Sequence, residues 1–143
     1  MRILAVDPGK KNIGIAISDP SGTIASPLTV IRHIARAADA AAIAQLATQN
    51  TVALIVMGQS LDDDAQPTFE GRRAARLAGA IHAQTKIPVV FWDESHSTKA
   101  AQQARLAMGV TRQKRRGHLD DIAATIILQT YLEALAEDAL TQS

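Results

Sequence analysis

Apolar and polar positions fall along this chain in short, sharply punctuated blocks. Residues 3–6 are continuously apolar, as in a strand buried on both faces. Asp7, Pro8 and Gly9 interrupt, Lys10, Lys11 and Asn12 follow, and a second apolar run occupies residues 13–17. Two short β-rich runs about a Pro, Gly and Asn turn predict a hairpin. Ser21 and Gly22 turn the chain again, and residues 23–31 predict a third strand, in which Pro27 demands an edge position or a bulge.

The period then changes. Alanine-rich residues 34–49 predict a helix with Ile34, Ala38, Ala42 and Leu46 on the core face. Residues 52–57 predict a short strand ending at Gly58, before a polar loop over 59–67 with Asp62, Asp63 and Asp64 at its centre. Thr68 is placed to cap a helix running to about residue 85, with Ala74, Leu77, Ala78 and Ile81 facing inward. Residues 88–92 predict another buried-type strand, ending at Asp93 and Glu94. Ser97 can cap a helix over 98–106, residues 108–117 read as a basic loop, and a last helix starts near 118 and runs to about 135. The order β-β-β-α-β-α-β-α-α predicts an α/β fold: a mixed five-stranded sheet, three antiparallel strands followed by βαβ units, with helices on both faces. One domain over residues 1–136 is expected, with a frayed tail over 137–143.

Composition narrows the classes. The 143 residues suffice for one domain with a proper core, and the 47% apolar and 20% charged content is that of an ordinary globular protein. A net charge of +1 means that any nucleic-acid site must rest on local basic clusters. With no cysteine, disulfide frameworks and thiolate metal sites are excluded. Four apolar residues before Asp7 are too few for a signal-peptide core, and no run approaches the ~18 residues of a membrane span. The expected setting is cytoplasmic, with no membrane partner.

Chemistry enters through three acidic positions. Asp7 ends the first strand, Glu94 (with Asp93 as its rival) follows the strand at 88–92, and Asp120 and Asp121 open the last helix. If the first strand and the 88–92 strand run parallel in the sheet centre, Asp7 and Glu94 emerge on the same side, where α/β sheets gather their sites. The start of the last helix can close the third side, though both its candidate faces are largely apolar and periodicity does not choose between Asp120 and Asp121. Taken singly these are ordinary turn, cap or helix-dipole residues; only the combination points to a site. Carboxylates from three elements suit hard divalent cations, Mg²⁺ or Mn²⁺. Two such ions about 3.5–4 Å apart serve phosphodiester hydrolysis. Lys10 and Lys11 flank Asp7, and Arg112, Lys114, Arg115 and Arg116 precede Asp120, as candidate phosphate contacts. Arg72, Arg73 and Arg76 lie on the second helix. With two Phe, one Trp and one Tyr, recognition by shape and backbone is favoured over base stacking.

Three stretches together resemble the YqgF/RuvX family of Holliday-junction-resolvase-like nucleases. They are Leu4-Ala5-Val6-Asp7-Pro8-Gly9 with Ile13-Gly14-Ile15-Ala16, then Pro88-Val89-Val90-Phe91-Trp92-Asp93-Glu94 with Ser97-Thr98, and finally Leu119-Asp120 with Ala123-Ala124 and Ile127-Leu128-Gln129. The resemblance implies a ribonuclease H-like fold and a divalent-metal nuclease. It also implies a catalytic and metal-binding triad of Asp7, Glu94 and Asp120, which favours Asp120 over Asp121. The implied role is maturation of the 5′ end of precursor 16S rRNA, with the protein as monomer or homodimer. Where the family has an arginine after the glutamate, this chain has Ser95 and His96. The alternatives are a dimeric resolvase of four-way DNA and a non-catalytic RNA-binding assembly factor. A third, an actin-like ATPase lobe, needs a second lobe for which this chain is too short.

Overall fold

A computed structural model describes residues 1–95 and 119–142, with only the helical backbone described at 119–121, 141 and 142. The strands are β1 (Arg2–Pro8), β2 (Asn12–Ser18), β3 (Ala25–Arg32), β4 (Val52–Gln59) and β5 (Val89–Asp93). The helices among the described residues are α1 (Arg36–Gln49), α2 (Phe69–His82) and α3 (Leu119–Gln142). The expected helix over 98–106, its Ser97 cap, the loop over 108–117, and Arg112, Lys114, Arg115 and Arg116 lie outside the described residues.

The five strands form one mixed sheet in the order β3-β2-β1-β4-β5. β1 pairs antiparallel with β2 and parallel with β4, and β4 pairs parallel with β5. Strand alternation sends successive side chains to opposite faces. Leu4 and Val6 meet Ala40, Ile43, Ala47, Ala74, Leu77 and Ile81 of α1 and α2. Ile3 and Ala5 meet Ala124, Ile127, Leu128 and Leu132 of α3 on the other side. The helices therefore cover both faces, as the element order predicts. Among the described residues no helix is long and apolar enough to cross a membrane.

Pro27 satisfies both of its sequence constraints. It lies on the edge strand β3, and there the register with β2 slips, so that Ile15 faces Thr29 while Ala16 faces Pro27. Thr68 caps α2 as expected, its hydroxyl oxygen accepting from the Gly71 N–H at 3.1 Å, and the four predicted core residues of α2 are all buried. Asp19 holds the β2–β3 turn. Its carboxylate accepts from the Thr23 and Ile24 N–H groups at 2.8 and 2.9 Å and from Ser21, and these bonds keep its carboxyl far below the usual carboxylate range.

Three expectations need correction. The strand at 88–92 is outermost in the sheet, not central, because β1 is already paired on both sides by β2 and β4, and β5 pairs parallel with the outer edge of β4; Phe91 stands 44% exposed there. On α1 the buried stripe is Asp39, Ala40, Ile43, Ala44 and Ala47, and Ile34 is left in solvent, before the helix begins. Asp39 sets that orientation: its carboxylate pairs with His33 and accepts from the Ile34 N–H at 3.1 Å, which turns the helix entry outward. Finally, α3 is helical to Gln142, past 135 and through most of the stretch expected to fray, with Glu137–Leu140 exposed.

Candidate active site

The period of two that buries Ala5 against α3 carries Asp7 to the same face, at the carboxyl end of β1. On β5, Val90 and Trp92 also pack toward α3, and Glu94 follows them. The Glu94 N–H donates to the Gln59 carbonyl at 3.0 Å, which extends the β4–β5 ladder by one residue. Asp93 is engaged elsewhere, its carboxylate accepting from the Ser95 N–H at 2.9 Å. Glu94 is thus the residue turned inward, and it shares a hydrogen bond with Asp7. The strands bring together two of the three acidic positions that the sequence singles out.

Glycine makes room for this pairing. Asp7 faces Gly14 across β2, and Val6 faces Met57 across β4, which brings Gly58 level with Asp7. A Cβ at Gly58 would stand 2.8 Å from the Ile127 Cδ1, 3.3 Å from the Glu94 Oε1 and 3.4 Å from its Cγ. Gly58 is the place where β4 yields its volume to α3 and to the glutamate. The sequence shows it only as the residue ending an apolar run. Gly9 has a different duty, since a Cβ there would lie 2.2 Å from the Asn12 carbonyl oxygen, so no other residue fits this turn.

Burial pushes the Glu94 carboxyl above its ordinary value; the hydrogen bond to Asp7 opposes this, and the nearby charges of Asp93 and Glu70 add to it. Trp92 is fixed beneath by its indole N–H donating to the Thr130 hydroxyl at 2.9 Å and by an edge-on contact with Tyr131 at 5.3 Å between ring centroids. β5 and α3 are therefore tied together just below the carboxylates.

The backbone of α3 sets Asp120 one turn before Ala124 and two turns before Ile127. The side chains of Asp120 and Asp121 are outside what the structure describes, and among the described residues no cluster of three metal-ligating side chains occurs. Lys10 and Lys11 are exposed in the β1–β2 turn. Lys10 reaches Glu70 at 3.6 Å, and Glu70 accepts from Arg73 at 2.9 Å. Arg73 in turn donates to the Gly9 carbonyl at 3.3 Å. This strut from α2 to the turn after Asp7 is a feature the sequence reading missed; its signal was the Glu70–Arg73 spacing of three on one helix.

Comparison with known proteins agrees with this layout. Residues 1–134 match the model of the RuvX family, described as a Holliday junction resolvase. A relative from Moorella thermoacetica is 39% identical over 142 residues, covering 98% of this chain and all of its own length. One from Syntrophus aciditrophicus is 37% identical over 140 residues, 98% of this chain and 93% of the relative. Both carry the provisional name pre-16S rRNA nuclease. Among solved structures, RuvC of Thermus thermophilus bound to a Holliday junction substrate aligns with a TM-score of 0.60 at 15% identity, over 94% of this chain and 96% of RuvC. The fowlpox virus resolvase with its junction DNA aligns at 0.54 and 16% identity, over 94% of this chain and 99% of the resolvase. At such identities the likeness speaks for a shared ribonuclease H-like fold. The near-complete match in sequence goes further: the chain belongs to the RuvX family of nucleases.

Proposed function

We propose that this protein cleaves precursor 16S rRNA by hydrolysing phosphodiester bonds, with Mg²⁺ or Mn²⁺ held by Asp7, Glu94 and Asp120. The observation that carries the proposal is the contact between the Asp7 and Glu94 carboxyl groups at the carboxyl end of the parallel strands. A hydrogen bond between two carboxyl groups requires one of them to carry a proton, and that proton leaves when the oxygens take a cation. An all-oxygen donor pair with a half-buried glutamate fits a hard divalent ion. Ile127 packs against Gly58 beside Glu94, and Asp120 lies two turns before it on α3, which supports Asp120 as the third ligand. When bound, the cation neutralises charge on the scissile phosphate and lowers the pKa of the attacking water. The chain itself contributes position: β1 and β5 present the carboxylates, Gly58 clears the space between them, and Lys10 and Lys11 offer cations to the neighbouring phosphates.

Asp7→Asn, Glu94→Gln and Asp120→Asn are each expected to abolish cleavage of a precursor rRNA transcript in Mg²⁺ or Mn²⁺ while the circular dichroism spectrum stays that of the parent. Unchanged turnover in Asp7→Asn would sink the mechanism. The description of the family model favours a second reading, cleavage of four-way DNA, which needs two sites and hence a homodimer. Side-by-side cleavage of both substrates, with sedimentation to fix the oligomer, separates the two. RNA binding without metal-dependent cutting would instead mark an assembly factor.

A further inference from the structure

On the α1–α2 side of the sheet, two cavities meet beneath the β1–β2 turn. One, of about 250 Å³, is floored by Pro8, Gly9 and Ile13 and walled by Arg36 and Arg73. The other, of about 460 Å³, is lined by Lys10, Lys11, Arg32 and His33, and His33 belongs to both. Together they make a trough in which five fixed cations, Lys10, Lys11, Arg32, Arg36 and Arg73, face two carboxylates. Those two are already engaged. Asp39 is buried against His33 and the Ile34 N–H, and Glu70 is held by Lys10 and Arg73. Lys11, Arg32 and Arg36 have no carboxylate partner among the described residues. Cations kept close together without counter-charges raise the local potential and call for an anion from outside.

The trough's place identifies the anion. Its floor, Pro8-Gly9, is the backbone that leaves Asp7, so it begins where the carboxylate site ends, on the far side of the same turn. We propose that the trough binds phosphates of the nucleic-acid strand that runs from the scissile bond over the β1–β2 turn, with Arg32 and Arg36 as its principal contacts. This rests on the nuclease reading above and extends it to the course of the substrate. Asp39, through its pairing with His33, holds the rim between β3 and α1 in place, and Arg73 fixes the turn by its bond to the Gly9 carbonyl.

The test is Arg32→Gln/Arg36→Gln in the full chain, two exposed positions whose change leaves the core intact. Binding of a labelled single-stranded RNA is followed by fluorescence anisotropy across a salt series, in EDTA. Loss of two phosphate contacts should weaken binding about tenfold and reduce the salt slope by about 1.4. In Mg²⁺ the variant should raise KM and leave kcat unchanged, and Arg36→Lys should retain most of the affinity. An unchanged slope overturns the trough. So does an equal effect from Lys86→Gln, which lies just before β5 at the opposite end of the parallel strands and would mark bulk charge alone. Displacement of the RNA by inorganic phosphate at matched phosphate concentration would mark a small-anion site and overturn it too. Continued cutting by Asp7→Asn would overturn the carboxylate mechanism and leave the trough's binding data standing.

Discussion

Gly58→Ala places one methyl group where β4, α3 and Glu94 converge, and its cost can be worked out from the geometry. At 2.8 Å the new Cβ is closer to the Ile127 Cδ1 than real Cβ atoms come, so one of them must move. Ile127 is 2% exposed and closely packed, so it has little freedom to turn aside. Overpacking of this kind costs about 1–3 kcal/mol. Glycine to alanine in a strand returns about 0.5–1 kcal/mol through the unfolded chain. The expected net loss is about 1 kcal/mol, read in urea unfolding as a lower midpoint at constant slope or as a fall in Tm of roughly 3–5 °C. Ile127→Val removes Cδ1, the clashing atom, and alone should cost about 0.5–1.5 kcal/mol. The double variant should then be no less stable than Ile127→Val alone, a coupling of at least about 1 kcal/mol. Activity should behave differently. The contacts of the new methyl with Glu94 persist in the double variant, so turnover stays low even as stability recovers. Additive stabilities, or full activity in Gly58→Ala, would refute the account of why glycine stands there.

Glu94→Gln should stabilise the metal-free protein at neutral pH. A carboxyl raised by burial keeps its contribution to folding below its unfolded value near 4.5 and loses it as pH rises through its folded value, so the variant's advantage should vanish under acid; equal unfolding midpoints at pH 8 would contradict this. Ser18→Ala should cost about 1–3 kcal/mol, because the buried Ser18 hydroxyl accepts from the Ile3 N–H at 2.8 Å and nothing replaces it; chemical denaturation measures the loss. Trp92, the one tryptophan of the chain, lies two residues before Glu94 on the same face, so Mn²⁺ should quench its fluorescence saturably. Asp7→Asn should abolish that quenching, and quenching identical in parent and variant would place the ion elsewhere.

The frame of the fold was legible because its strands are punctuated by residues with narrow tolerances. Pro8-Gly9 could only close a strand and open a turn, Ser21-Gly22 could only be a turn, Pro27 an edge or a bulge, and Thr68 a cap. The rotation of α1 was not legible, since alanines occupy nearly every side and a buried Asp39, which propensity places in solvent, decides the facing. The position of β5 was hidden for another reason. Its run of Val89, Val90, Phe91 and Trp92 reads as fully buried, yet which strand sits between which is a matter of pairing partners that no single run contains. At the site, the parallel course of β1 and β5 brought Asp7 and Glu94 to the same side as expected, although β5 lies at the sheet edge rather than in its centre. Spacing left Asp93 beside Glu94, and only the family resemblance named Glu94. The Ser95 N–H that occupies Asp93 is a structural feature, and the space that lets Asp7 and Glu94 meet needed Gly58, a β4 residue whose neighbours come from α3 and from the end of β5.

The α3 face of the sheet carries a consequence for synthesis. Ile3 and Ala5 of the first strand are covered there by Ala124, Ile127, Leu128 and Leu132, more than a hundred residues later in the chain. This layer therefore forms by contact between segments made far apart in time, which is slower than closing the local β1–β2 hairpin.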